Sequence, residues 1–276
     1  MKKIVLTLSA LCLAPCSFAT GLLVPAYFYP SGAGATDWSL MDAASSSVDL
    51  TAILNPDSGP GSSTDPNILS AVNSLRAAGG HDVGYIYTDY GSTPLATVEN
   101  EVSSYLSMYP VSGFFFDGMS GDPSEHSYYK SLYDYAKGLS SAYTVIDNPG
   151  TSFDESDASD PVADTFIEFE GSASDYTTAT PASWTSSYPA SLFAATIYGA
   201  PTLGSMLSAL SLAQSRNVGS VFVTDQNLPN PYNQLPSYWD QEVAAIHAMP
   251  EPQPFAVLGL GLGAMVLRRR ARRRAE

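Results

Sequence analysis

The stretch VSGFFFDGMS, residues 111–120, runs three consecutive phenylalanines straight into a carboxylate, Asp117, and then a glycine, Gly118. So apolar a run belongs inside a protein, and a charge at its end belongs where the strand emerges. Its length and its flanking turn residues read as a buried strand. Seven other runs of the same kind occur, over residues 22–29, 48–55, 82–89, 143–148, 164–170, 191–198 and 218–225. Helical stretches lie between them. Asp65 and Pro66 open one that Gly79 closes, Thr93 and Pro94 open another, and residues 201–217 and 236–249 form two more. The intervals after the fifth and sixth runs are less clearly helical.

Eight strand-helix units in about 230 residues predict a single-domain α/β fold, the (β/α)8 TIM-type barrel. The runner-up is an open doubly wound sheet, but no glycine-rich phosphate loop follows the first strand. In a barrel, chemistry belongs at the C-terminal ends of the strands. Those positions hold Tyr27 and Tyr29, Asn55, Asp89, Asp117, Asn148, Glu170, Tyr198 and Asp225. The phenylalanines are then barrel wall, and Asp117 marks the point where the fourth strand reaches the mouth.

Both ends of the chain read as addresses. Lys2 and Lys3, the apolar residues 4–14 and the small residues before Thr20 have the layout of a secretory signal peptide, residues 1–19, cut after Ala19. Cys12 and Cys16 fall inside it, so the mature domain, residues 20–249, has no disulfide to stabilise it. Residues 250–276 combine Pro250-Glu251-Pro252, an apolar segment at 255–267 and the arginine cluster RRRARRR. In that order they resemble the PEP-CTERM sorting signal of Gram-negative bacteria; an ordinary tail anchor is the competing reading. The expectation is an exported protein of the periplasm, outer surface or extracellular matrix. It would meet the export and C-terminal sorting machinery, and would touch the membrane only transiently through residues 255–267.

Between these ends stand 25 acids and only four basic residues, Arg76, Lys130, Lys137 and Arg216. A net charge near −21 in this domain argues against nucleic acid or an anionic membrane surface as partner. The three histidines, His81, His126 and His247, have no zinc-type spacing, and no Walker motif or G-x-S-x-G elbow occurs. No metal or cofactor is expected. A monomer is.

Paired carboxylates at a barrel mouth are the minimum for glycoside hydrolysis: one protonates the leaving oxygen, the other attacks or activates water. Asp117 and Glu170 are the best pair, because both end aromatic strands that supply desolvation. Glu168, two residues earlier and expected on the same strand face, competes with Glu170. The rings of Tyr27, Tyr87, Tyr198 and Tyr232 are candidates to stack on sugar faces, and ordinary barrel packing is the alternative for each. Asn55, Asp89, Asn148 and Asp225 complete the expected substrate-binding set.

The motifs VPAYFYP, NPDSGPG, VGYIYTDYG, GFFFDGMS, NPG and FEGSASDY, in this order over nearly the whole mature domain, resemble the spherulin-4 (spherulation-specific family 4) proteins, grouped with glycoside hydrolase family 135. The resemblance implies a (β/α)8 barrel acting as a retaining, metal-independent endo-glycosidase on α-1,4-linked N-acetylgalactosamine polysaccharide. It implies Asp117 and Glu170 as the essential acids. One departure stands out: characterised fungal members carry a second acid directly after the aspartate, where this chain has Gly118. The resulting expectation is an exopolysaccharide hydrolase of the biofilm matrix, with Asp117 as nucleophile and Glu170 as acid/base. The competing class is a polysaccharide-binding barrel without catalysis.

Overall fold

A computed structural model describes residues 20–150 and 152–249. The expected signal peptide, with both cysteines, and the expected sorting tail lie outside these residues. Strands and helices alternate along the chain: β1 (Gly21–Ala26), α1 (Ala33–Ala44), β2 (Leu50–Leu54), α2 (Pro66–Ala77), β3 (His81–Tyr87), α3 (Leu95–Met108), β4 (Gly113–Asp117) and α4 (His126–Leu139). The second half continues with β5 (Thr144–Asn148), α5 (Glu155–Ser159), β6 (Thr165–Ser172), α6 (Ala173–Thr178), β7 (Phe193–Tyr198), α7 (Leu203–Ser215), β8 (Ser220–Val223) and α8 (Trp239–Ala248). Each strand is parallel to both neighbours, and β1 pairs with β8 to close an eight-stranded barrel. This is the (β/α)8 barrel expected from the sequence.

Local chemistry accounts for several boundaries. The Asp65 side chain accepts from the amides of Asn67 and Ile68, satisfying two donors that the first turn of α2 leaves free, while Pro66 lacks the N–H that would be orphaned there. Thr202 and Ser205 form a reciprocal capping box on α7. The two intervals without a clear helical period hold only short pieces, α5 of five residues and α6 of six, the latter followed by 3-10 turns at Ser183–Ser187 and Ala190–Leu192.

The triple phenylalanine divides between two cores. Phe115 points into the barrel among Leu23, Ile53, Val83, Ile146, Ile167 and Ala194, one residue from each of β1 to β7. Phe114 and Phe116 point outward under the helices, their rings 6.4 Å apart and nearly parallel. Period-two alternation therefore leaves Asp117 on the inward face, at the end of β4.

The strand ends correct five expected boundaries, β2 stopping at Leu54, one residue before Asn55. β1 stops at Ala26, so Tyr27 and Tyr29 stand beyond it. β3 stops at Tyr87, and Asp89 falls in a 3-10 turn. β8 stops at Val223, two residues before Asp225. β6 runs on past Glu170 to Ser172, and it contains an irregularity. Ile167 pairs with Ala194, yet Phe169 pairs with the very next residue, Ala195, so Glu168 is a β-bulge.

Candidate active site

The bulge decides which glutamate reaches the mouth. Ile167 is in the barrel interior; in a regular strand Phe169 would follow it inward and Glu170 would face the helices. The extra residue reverses this. Phe169 packs outside on Tyr176 of α6, at 4.6 Å between ring centroids, and Glu168 lies near Tyr176 and the Arg216 guanidinium. Glu170 turns inward to the pocket. The expectation that Glu168 and Glu170 share a face is thus corrected, and Glu168 has no access to the pocket side. Burial pushes the Glu168 carboxyl up to about 7, with Arg216 acting in the opposite direction.

Asp117, Asn148 and Glu170, from β4, β5 and β6, meet at the C-terminal end of the barrel. One amide nitrogen joins them: Asn148 Nδ2 donates to Asp117 Oδ1 at 2.9 Å and to Glu170 Oε2 at 2.7 Å. These two carboxylate oxygens are therefore no more than 5.6 Å apart (2.9 plus 2.7). Each acid has a second donor. The Tyr85 hydroxyl donates to Asp117 Oδ2 at 2.6 Å, and the Tyr232 hydroxyl donates to Glu170 Oε1 at 2.8 Å. Tyr27 closes one side, edge-on to both Tyr85 and Tyr232 at 5.9 and 5.8 Å. Pro25, Ile53, Phe115, Ile167 and Thr196 complete the pocket, which encloses about 390 Å³ including its open mouth.

Burial raises the Glu170 carboxyl above its ordinary value; the Asn148 and Tyr232 hydrogen bonds pull it down, and the Asp117 charge pushes it up again. The phenols of Tyr27, Tyr85 and Tyr232 are all raised, by burial first and by the Asp117 or Glu170 charges next, so each remains a protonated donor.

Of the residues singled out from the sequence, the pocket brings together Asp117, Glu170, Asn148, Tyr27 and Tyr232. Tyr87 and Tyr198 stand on its rim: Tyr87 pairs in register with Asp117, and Tyr198 ends β7 near Tyr232. Three others do not line it. Asn55 Oδ1 accepts from the Gly59 amide and shapes the β2–α2 loop. Asp89 accepts a long bond from the Tyr87 hydroxyl at 3.4 Å, at the surface. Asp225 accepts from the Ser237 hydroxyl and amide, closing the base of the loop that carries Tyr232 inward. His126 is also remote, with Nδ1 2.7 Å from Asp157 Oδ1.

Tyr85 and Thr196 were missed from the sequence. Both lie on the inward face two residues before an expected mouth residue, Tyr87 and Tyr198 respectively, so counting back by two along each strand would have found them.

Comparison with known proteins places this arrangement. The chain is 35% identical over 240 residues to Spherulin-4 of Physarum polycephalum, covering 83% of this chain and 70% of that one. The crystal structure of Aspergillus clavatus Sph3 in complex with GalNAc superposes with a TM-score of 0.73 at 23% identity, over 83% of this chain and 98% of that one. A cyclic α-maltosyl-(1→6)-maltose hydrolase from Arthrobacter globiformis shares the barrel more distantly, with a TM-score of 0.55 at 11% identity over 83% and 80% of the two chains. The fold is thus one that glycoside hydrolases use. The family model described as spherulation-specific family 4 matches residues 21–246, essentially the whole barrel, and the chain belongs to that family.

Proposed function

We propose that this protein is an exported endo-acting glycoside hydrolase that cleaves an amino-sugar polysaccharide of the N-acetylgalactosamine type with retention of configuration. The observation that carries this reading is the carboxylate pair tied by one amide, with at most 5.6 Å (2.9 plus 2.7) between the bonded oxygens. Retaining glycosidases hold their acids about 5–5.5 Å apart, whereas inverting ones need about 6.5–9.5 Å to admit a water. The sugar class is supported by the GalNAc bound to the structurally similar Sph3.

The chemistry follows from the two environments. Glu170, whose carboxyl burial raises, is the acid in this reading and gives its proton to the leaving glycosidic oxygen. Asp117, oriented by Tyr85 and Asn148, attacks the anomeric carbon, and the C–O bond to the leaving sugar breaks. Once Asp117 is esterified its charge is gone. The repulsion that helped to raise Glu170 then disappears, and the now ionised Glu170 takes a proton from the water that hydrolyses the ester. Asn148 spans the pair throughout.

The test is hydrolysis of α-1,4-linked N-acetylgalactosamine oligomers by the purified domain, read by mass spectrometry and by NMR of the first product. Shortened oligomers with retained anomeric configuration support the proposal; binding without any new reducing end would leave only a polysaccharide-binding barrel. Azide rescue separates the roles: Glu170→Ala should recover turnover of an activated aryl glycoside, because azide attacks the glycosyl-enzyme without needing a base.

A further inference from the structure

Beside the pocket, on its Asp117 side, the β3–α3 turn holds two tyrosines in the open. Tyr87 is 42% exposed and Tyr90 58% exposed, and their rings meet edge to face at 6.5 Å. The backbone that presents them is strained. Asp89 and Tyr90 have φ of +49° and +55°, and Gly91 follows at +87°. Consecutive left-handed non-glycine residues are costly, and such strain persists only where the surroundings enforce it.

Here the surroundings are the candidate nucleophile's own peptide. The Tyr90 amide donates to the Gly118 carbonyl at 2.8 Å, the Thr88 amide donates to the Asp117 carbonyl at 2.9 Å, and the Thr88 hydroxyl is bonded to both carbonyls. Gly118 completes the fit. A Cβ at that position would come within 2.6 Å of Tyr87 Cε2, and its φ of +66° already favours glycine. The space next to Asp117 that a side chain would occupy is thus taken by the Tyr87 ring.

We propose that Tyr87 and Tyr90 form a second sugar-binding platform, which holds the pyranose unit adjacent to the one in the pocket. This rests on the glycosidase reading above. A pyranose ring offers an apolar patch of C–H groups on a face and hydroxyls around its edge, and an exposed phenol matches both. A long polymer crossing the mouth must leave the pocket over its rim, and rings fixed to the Asp117–Gly118 peptide hold a constant position relative to the reacting carbon. The occupant is a neutral sugar: Asp89, which accepts from Tyr87, and Asp117 would both repel a uronic acid.

Binding to the inactive Asp117→Asn protein, measured by calorimetry with N-acetylgalactosamine and with its α-1,4-linked oligomers, tests this. Tyr87→Ala and Tyr90→Ala should each weaken oligomer binding by about tenfold and leave the monosaccharide within about twofold. Tyr90→Phe, which keeps the ring, should bind as the parent does. Gly118→Ala should behave like Tyr87→Ala, by displacing that ring. Equal affinity of the alanine variants for oligomers, or an equal loss for the monosaccharide, would overturn the platform while leaving the hydrolase reading intact. Failure of the parent to bind any of these sugars would overturn the hydrolase reading and the platform together.

Discussion

The two ends of this barrel both carry carboxylates, and they surround them oppositely. At the N-terminal end Asp82, fully buried, lies 3.3 Å from the Arg76 guanidinium, and Asp164 accepts from Lys137 at 2.6 Å and from the Val145 amide. At the mouth, Asp117 and Glu170 face one another with only an amide and two phenols between and behind them. The other two basic side chains of the barrel are also committed elsewhere: Lys130 to Asp134 on α4, and Arg216 to the carbonyls of Tyr176 and Ala179. At the N-terminal end Arg76 opposes the burial that raises the Asp82 carboxyl, and the contact serves stability. A pair beside neutral donors stays able to exchange a proton, and that is what hydrolysis requires.

The largest expected effect breaks the comparison at the mouth. Asp117→Asn and Glu170→Gln should each lower cleavage of the polymer by roughly three powers of ten, with thermal midpoints unchanged or slightly raised because the mutual repulsion is relieved. Loss of folding in these nearly isosteric variants would show that the mouth pair is structural after all.

Next comes its converse at the other end. Arg76→Met leaves Asp82 buried without its cation and should cost about 2 kcal/mol in urea unfolding. That is less than for a fully enclosed pair, because Arg76 is 38% exposed and Asp82 can take up a proton instead. Cleavage per folded molecule should be unaffected.

The pH dependence of stability sharpens the same contrast. Burial pushes Asp82 up to about 6 and Glu168 up to about 7, and raises Asp147 and Glu242 well above the ordinary range. Each binds its proton more tightly folded than unfolded, so folding stability falls as pH rises from about 4 through 7. His126, raised by Asp157, acts in the same direction, since its contribution is complete below the unfolded value and lost as pH rises through the folded one. Thermal midpoints measured between pH 4.5 and 8 should therefore decrease. A midpoint that rises over this interval would mean that the buried acids are ionised and paired.

The smallest effect is a displacement. Tyr232→Phe removes a donor that stabilises ionised Glu170, so the alkaline limb of the kcat profile should move to higher pH. An unmoved limb would show that Glu170 is not the acid.

Much of this was legible along the chain. Eight apolar runs with helical intervals specify the barrel because strand burial and helix amphipathicity are properties of consecutive residues. Asp117 could be placed at the mouth for the same reason: Phe115 and Asp117 are two apart on an uninterrupted strand. Asn148 follows likewise from β5. What misled was the assumption that a polar residue near a strand end faces the pocket. Asn55, Asp89 and Asp225 instead satisfy loop donors, a use that depends on where the loop backbone turns and not on the residue type.

Sequence by itself therefore determined the architecture and the position of Asp117 at the C-terminal mouth of the barrel, since each depends on short-range periodicity. Tertiary structure decided the rest. Whether Glu168 or Glu170 enters the mouth depends on one unpaired residue in β6, which only the register of that strand against β7 reveals. The partnership of Asp117 with Glu170 depends on Asn148 standing between them, and Tyr232 arrives from a loop 62 residues away from the glutamate it bonds. Such contacts are made by closing the barrel. No spacing along a chain encodes them, because the distance between strands is set by the ring of backbone hydrogen bonds and not by the residues in between.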